Sequence, residues 1–439
     1  MNRRAVQATD FLKYKEEITK SHIRKLGKVT QVVGLTIESQ GPDVSIGSTC
    51  YIKSPSGDIL AEVVGFKGNK ILLMPLGDIG GVRPGAIVLA SDTPITVNIS
   101  YDLLGRVLDG IGKPLDGKPP VTNGKDFPVV NSPPNPLDRN RIRTPLALGV
   151  KVLDGLLTIG KGQRVGIFAG SGVGKSTLMG MIARNTTADI NVIALIGERG
   201  REVKEFIEKD LGEEGLKRSV LVVSTSDKPA LVRLKAADVA TSIAEYFRAE
   251  GKDVLLLMDS LTRYAMAQRE IGLATGEPPV SRGYTPSVFA VMPRLLERAG
   301  NDHRGSITGL YTVLVDGDDI TEPVTDTARG ILDGHIVLNR KIANKNHYPA
   351  IDVLASVSRV MPDIVTREHR NQSNEIKRVM AIYSENEDLI NIGAYVKGSN
   401  PNIDIAIAKN GPIKDFLTQE VEEKIQFETT LDIMAAIAG

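Results

Sequence analysis

The sequence contains no tryptophan, and aromatic residues make up only 4% of its 439 positions. The stretch best suited to base stacking, residues 26–96, holds just Tyr51 and Phe66 and no basic cluster. A nucleic-acid face needs both features, so their shortage favours a structural collar there over an oligonucleotide site. Cysteine occurs once, at Cys50, which excludes an intrachain disulfide and a cysteine-built metal site and suits a reducing compartment. No charge of one sign dominates: 54 basic residues stand against 53 acidic ones, a net of +1. That balance argues against a generic binder of nucleic acid or anionic membrane. Long apolar runs are missing too. The most apolar, 191–197 and 253–259, are one strand long, against the ~20 residues that span a bilayer. Met1-Asn2-Arg3-Arg4 is basic but no apolar stretch follows it, so the expectation is a soluble, cytoplasmic protein without a secretory signal.

What is present is enough to bury a real core. The hydrophobic fraction is 41%, and the length suits about two to four domains at roughly 100–200 residues each. Residues 1–25 read as a short amphipathic helix with Phe11, Tyr14 and Ile18 on one face, either docked on its own domain or free to bind a partner. Residues 26–96 break into short β-rich runs (29–37, 49–52, 59–66, 70–74 and 86–89) with turns at Pro55-Ser56-Gly57, Gly68-Asn69 and Arg83-Pro84-Gly85. Such spacing suggests a small barrel. Residues 105–145 read as loops, ending in a proline-laden extended linker over 132–144. From about 146 to 365, short apolar runs at 164–168, 191–196, 220–223, 254–258 and 308–315 alternate with amphipathic stretches such as 230–249. The alternation predicts an α/β domain with a parallel sheet, whose ligand sits at the carboxyl ends of the strands. The tail from 366 reads helical, with Ile376, Val379, Met380 and Tyr383 at helical spacing and a break over 393–401. The expected division is 1–25, 26–96, 97–365 and 366–439.

The chemistry gathers in Ala169-Gly170-Ser171-Gly172-Val173-Gly174-Lys175-Ser176-Thr177. Apart from Ala169 at its first position, this is the phosphate-binding loop G-x-x-x-x-G-K-[ST], with an apolar run before it and a helical run after it. Its glycines let backbone N–H groups converge on phosphate oxygens, and the helix N-terminus adds a favourable dipole. Lys175 would reach the β- and γ-phosphates and the Ser176 hydroxyl would hold Mg²⁺. Binding a nucleotide is only half of hydrolysis. Asp259 ends the run 254–258, where a carboxylate can serve the Mg²⁺ shell or simply end a strand. Glu198 follows 191–197, where it can polarise the attacking water or belong to a solvated charged loop, and Arg199 beside it could stabilise developing charge. Arg359, in Leu354-Ala355-Ser356-Val357-Ser358-Arg359-Val360, is by pattern alone an ordinary surface charge or an arginine presented across a subunit interface.

Together with the phosphate loop, three further stretches make the chain resemble the rotary ATPase family. They are Gly197-Glu198-Arg199-Gly200-Arg201-Glu202, Asp259-Ser260-Leu261-Thr262-Arg263 and Ser356-Val357-Ser358-Arg359. That family includes the catalytic subunits of proton-translocating ATP synthases and the ATPases of type III protein export. The stretches 276–289 and Gly393-Ala394-Tyr395-Val396-Lys397-Gly398-Ser399-Asn400-Pro401 resemble the export branch. The resemblance implies a RecA-like core between an N-terminal β-barrel and a C-terminal helical domain. It implies Glu198 as the catalytic carboxylate and Arg359 as a finger acting in the neighbouring subunit of a homohexamer. Other implied partners are a stator-like regulator on the N-terminal segment, a coiled-coil stalk, and export substrates with their chaperones. The ring would sit beside the export gate at the inner membrane. Relatives in the synthase branch place a tyrosine after Glu-His to stack on adenine. This chain has Glu368-His369-Arg370, so the expectation transfers base stacking to the Arg370 guanidinium. The competing readings are a proton-driven ATP synthase subunit, a hexameric RNA or DNA translocase, and a non-catalytic nucleotide-binding subunit.

Overall fold

In Thr49–Ser54, Cys50 and Ile52 are buried while Tyr51 faces out, the period-2 signature of a strand with one face on a core. Five more strands share that core, giving β1 (Leu26–Val33), β2 (Thr36–Gln40), β3 (Thr49–Ser54), β4 (Gly57–Lys67), β5 (Lys70–Pro75) and β6 (Ile87–Ala90). They pair antiparallel in the order β1-β2-β5-β4-β3-β6, and β6 returns to β1 to close a barrel. The run 29–37 is therefore a hairpin and not one strand, because the chain reverses between Val33 and Thr36. The only two aromatic side chains of the barrel, Tyr51 and Phe66, lie outside, and Lys67 and Lys70 both pair with the buried carboxylate of Glu38. This computed structural model describes residues 25–91, 93–315 and 322–439. The amphipathic segment expected over 1–25 lies, but for Lys25, outside them. The chain divides into two compact units, one ending at Pro94 and the other running Ile95–Gly439.

The second unit is built on strands buried along nearly their whole length, as parallel sheets covered on both faces require. After β7 (Thr96–Ile99), β8 (Val107–Asp109) and β9 (Lys125–Pro128) come β10 (Arg164–Ala169), β11 (Ile190–Ile196), β12 (Ser219–Ser224) and β13 (Asp253–Asp259). The set ends with β14 (Gly300–Asn301), β15 (Ser306–Leu314), β16 (Gly334–Leu338) and β17 (Ile351–Ser358). The main sheet runs β17-β16-β10-β15-β13-β11-β12-β8 and is parallel except where β17 turns back against β16, with β14 pairing antiparallel to β15 off this path. Along β11, Ile193 and Leu195 enter one apolar core, while Val192, Ala194 and Ile196 enter the other. The first core holds the helix Lys175–Asn185 and residues of the three C-terminal helices, Arg367–Asn391, Pro401–Leu417 and Phe427–Ala438. The second holds Ala230–Ala249, Leu261–Thr275 and Pro286–Glu297. Two strands, β8 and β9, fall inside the stretch expected to be loops. β8 is three residues long and joins the main sheet by pairing with β12, a tertiary effect that local periodicity does not carry.

Candidate functional site

The parallel strands β10, β15, β13 and β11 all end at one edge of the sheet, and the charged residues that follow them converge there. β10 feeds the loop Gly170–Gly174. Gly174 is left-handed at φ 87° and caps the helix Lys175–Asn185 without any side-chain hydrogen bond. The first N–H groups of that helix therefore face an open cleft with no protein cap, the arrangement that receives an anion. A β-carbon on Gly174 would also come within 3.4 Å of the Tyr348 ring.

Lys175 reaches across the end of β15. Its Nζ donates to Asp259 Oδ1 at 2.5 Å and lies 3.7 Å from Glu198 Oε1. Thr312, on β15 between them, donates its hydroxyl to the same Asp259 oxygen at 2.7 Å. Burial works against the Lys175 charge, yet the Asp259 and Glu198 carboxylates outweigh it and hold the ammonium above the ordinary lysine range. Glu198 goes the other way. Burial, and then the negative charge of Asp259, push its carboxyl up to about 7, with Lys175 opposing. A carboxylate poised there can hold or release a proton near neutral pH.

Lys175 and Glu198 border a cleft of about 480 Å³, within the range of small-ligand sites. Gly170, Ser171, Gly172, Ser176 and Thr177 line it with Glu198 and Arg199, while Val173 is buried beneath. The Arg199 side chain is 68% exposed and 3.7 Å from Glu202. The oxygen donors Ser176, Asp259 and Glu198 suit a hard cation such as Mg²⁺. Among the described residues no group of three or more His, Cys, Asp or Glu side chains could hold a metal.

Two further residues border this site, and sequence reasoning gave neither a role. Arg263 lies one turn into the helix that follows Asp259, where Ser260 caps its N–H. Its side chain covers Gly197, its Nε is buried without a partner, and it lines the cleft. The signal was its spacing behind a strand-ending Asp. Tyr348, whose ring meets the loop at Gly174, precedes β17 and carries no motif of its own.

Two of the expected residues lie elsewhere. Arg370 is exposed on the first turn of Arg367–Asn391 and does not line the cleft. Arg359 follows β17, which runs opposite to β10. Its N–H donates to Asp333, which in turn donates to Arg164 at the start of β10. Arg359 is therefore a full strand away from its own phosphate loop, about 17 Å at the usual rise per residue.

Similarity to known proteins agrees with this geometry. Residues 149–358 match the ATP synthase alpha/beta family nucleotide-binding domain. Residues 29–92 match that family's beta-barrel domain, and 365–436 match the T3SS EscN ATPase C-terminal domain. The chain belongs to the ATP synthase alpha/beta family. It is 56% identical to the flagellum-specific ATP synthase of Bacillus subtilis strain 168, over 96% of this chain and 97% of the relative. It is 51% identical to the type 3 secretion system ATPase of Xanthomonas euvesicatoria, over 94% of each. The solved structure of the assembled ATPase EscN from the enteropathogenic E. coli type III secretion system superposes with a TM-score of 0.89. That likeness comes with 46% identity and covers 94% of this chain and all of that one. In the export branch of the family, then, the loop, Glu198 and Asp259 stand in the setting of an ATPase.

Proposed function

We propose that this chain hydrolyses Mg-ATP as a subunit of a homohexameric ring that energises type III protein export, with flagellar export as the specific system. The convergence of Lys175, Glu198 and Asp259 on the phosphate loop carries this reading. Lys175 leaves Asp259 to meet the β- and γ-phosphates, and the Ser176 hydroxyl with Asp259 would hold the Mg²⁺ shell. Bound Mg²⁺ supplies neutralisation of charge developing on the phosphate oxygens. Glu198, freed from the Lys175 charge as that ammonium turns to the phosphates, orients water in line with the γ-phosphorus and accepts its proton. Arg263 and Arg199 face the same charge from within the chain. Arg359 serves the adjoining subunit, because its own loop lies at the far end of the sheet. Tyr348, 39% exposed, offers its ring to the base, a role its place beside Gly174 supports better than the exposed Arg370.

Assembly follows from the incomplete site: without a neighbour's Arg359 the transferring phosphoryl lacks one cation. Known structures include EscN with its central stalk EscO, and a coiled-coil stalk through this ring is part of the proposal. So are a stator-like regulator on residues 1–25, substrates and chaperones near the helices of 366–439, the barrel 26–96 as a collar, and the core 97–365 as the engine. Among the described residues no helix is long and apolar enough to cross a membrane, so attachment to the inner-membrane export gate would run through partners from the cytoplasm. The deciding measurement is ATPase activity against protein concentration, with Lys175→Ala as the dead control and RNA added in parallel. Specific activity rising cooperatively and indifferent to RNA supports interfacial sites. A flat profile removes the shared site, and dependence on RNA replaces export by translocation.

A further inference from the structure

The ring of Tyr348 stands beside Gly174, and its backbone is held by a residue from the C-terminal part of the chain. The Tyr348 carbonyl accepts a hydrogen bond from the Gln419 N–H at 3.0 Å. Gln419 lies two residues past the helix Pro401–Leu417 and is only 4% exposed. Its side-chain amide turns the other way, to the segment 148–151. Oε1 accepts the Lys151 N–H at 2.8 Å, while Nε2 donates to the Gly149 carbonyl at 2.9 Å and to the Glu423 carbonyl at 3.1 Å. Both amide donors and one lone pair of its oxygen are therefore in use. Lys151 Nζ adds an ion pair to Glu423 at 3.2 Å.

The segment that receives the amide is itself fixed. Asp154, 1% exposed, accepts the Leu148 and Gly149 N–H groups at 2.8 Å each. Gly149 is left-handed at φ 69°, and a β-carbon there would stand 2.3 Å from the Asn185 Cβ, so the approach requires glycine. Asn185 is the last residue of the helix that begins at Lys175. The contacts thus close a circuit: Gly174 to Tyr348, Tyr348 to Gln419, Gln419 to Gly149, Gly149 to Asn185, and back along the loop's own helix. A binding side chain is held accurately when the groups behind it are locked by packing and hydrogen bonds of their own.

We infer that Gln419 is a positioning residue for the base: it ties Tyr348 to the segment 148–151 and so keeps the ring at the phosphate loop. The inference rests on the proposed reading of Tyr348 as the base contact. Its effect is on ground-state binding of the nucleotide's base, so it enters Kd and KM and leaves kcat largely alone. The phosphates are gripped by other groups and do not feel it.

The test is calorimetric titration of the full chain with Mg-ATP, steady-state kinetics, and inhibition by Mg-tripolyphosphate, which carries the phosphates without a base. Gln419→Leu keeps most of the volume and removes the three amide hydrogen bonds. It is expected to raise Kd and KM for Mg-ATP by about three- to tenfold, with kcat nearly kept and the tripolyphosphate inhibition constant unchanged. In a cycle with Tyr348→Ala the effect should vanish, because no ring is left to position, whereas beside Tyr348→Phe it should persist in full. If Gln419→Leu fails to fold, Gln419→Asn, one methylene too short to reach both Gly149 and Lys151, carries the same expectation. A wild-type KM, an additive cycle with Tyr348→Ala, or equal weakening of ATP and tripolyphosphate overturns the inference, the last by making Gln419 merely structural. Tyr348→Ala alone separates the two levels. If its KM is that of wild type, the base reading of Tyr348 fails and the inference falls with it. If its KM rises while Gln419→Leu is unchanged, only the role of Gln419 falls.

Discussion

The two ends of the cleft are built on different principles. At the phosphate end, Lys175, Glu198 and Asp259 stand directly behind strands β10, β11 and β13, and their mutual distances follow from neighbouring positions in one sheet. At the proposed base end, Tyr348 comes from a loop before β17 and stands beside Gly174. Charge transfer at phosphorus demands several groups held within tenths of an ångström, and short motifs at strand ends achieve that. A base asks only for a flat apolar face, which many segments can present. Under the proposed function the phosphate end is also unfinished within one chain, because Arg359, the cation that proposal assigns to a neighbour's site, lies at the opposite end of β10 from its own loop.

Arg359→Ala strikes the comparison where the phosphate end depends on a second subunit, and the largest effect is expected there. Hydrolysis should fall by about 10³–10⁵ in an assembled ring while nucleotide binding persists. Mixing this variant with Lys175→Ala should restore some turnover, since one kind of interface is then intact. Loss of nucleotide binding in Arg359→Ala alone would make the residue structural.

Glu198→Gln addresses the phosphate end within one subunit. Turnover should drop by about 10²–10⁴ with Kd preserved. Its carboxyl sits at about 7 in the empty site and must be ionised to accept a proton, so wild-type activity should rise with pH through the neutral range. The residual activity of Glu198→Gln should lack that rise. The sign for stability is the reverse of an ordinary ion pair. The folded value lies above the ordinary glutamate value of 4.5, so the unfolded chain releases this proton first and the group opposes folding as pH rises from about 4.5 to 7. Thermal melts of the nucleotide-free protein across that range should show a shallower loss in Glu198→Gln.

The smallest effect belongs to the base end. Tyr348→Ala should raise KM for ATP by about ten- to a hundredfold with kcat nearly kept, since base–aromatic stacking is worth about 1–3 kcal/mol. Tyr348→Phe should behave as wild type, and Arg370→Ala should leave KM unchanged. A rise in KM for Arg370→Ala with none for Tyr348→Ala would return the base contact to the residue that sequence comparison favoured.

How far the fold was legible varied in the same way. Strands such as β11 and β13 are continuous apolar runs and were evident from composition alone, and so were the helices of the tail. The hairpin in 29–37 was read as a single run, because a tight reversal at Gly34 leaves the apolar pattern on both sides looking continuous. β8 escaped notice because three residues carry no periodicity and the strand joins the sheet through its partner β12. In the site, Lys175 and Ser176 were plain from the loop motif, whereas Glu198 stood level with an ordinary loop acid until its burial beside Lys175 was visible. Arg263 stands in the stretch 259–263, whose pattern gives it no task of its own. Asp210 had no signal, since its place against Gly180 at the cleft depends on a π-helical turn that no local pattern announces.

The sequence by itself determined the phosphate loop, the alternation that produces a parallel sheet, and the strand-ending acids, because these depend on residue type at short spacing. Only the tertiary structure decided where distant side chains lie: Tyr348 beside Gly174, Asp210 against Gly180 at the cleft, and Arg359 at the far end of the sheet. Those contacts arise from how helices and strands pack, and packing joins residues whose separation along the chain bears no fixed relation to their distance in space.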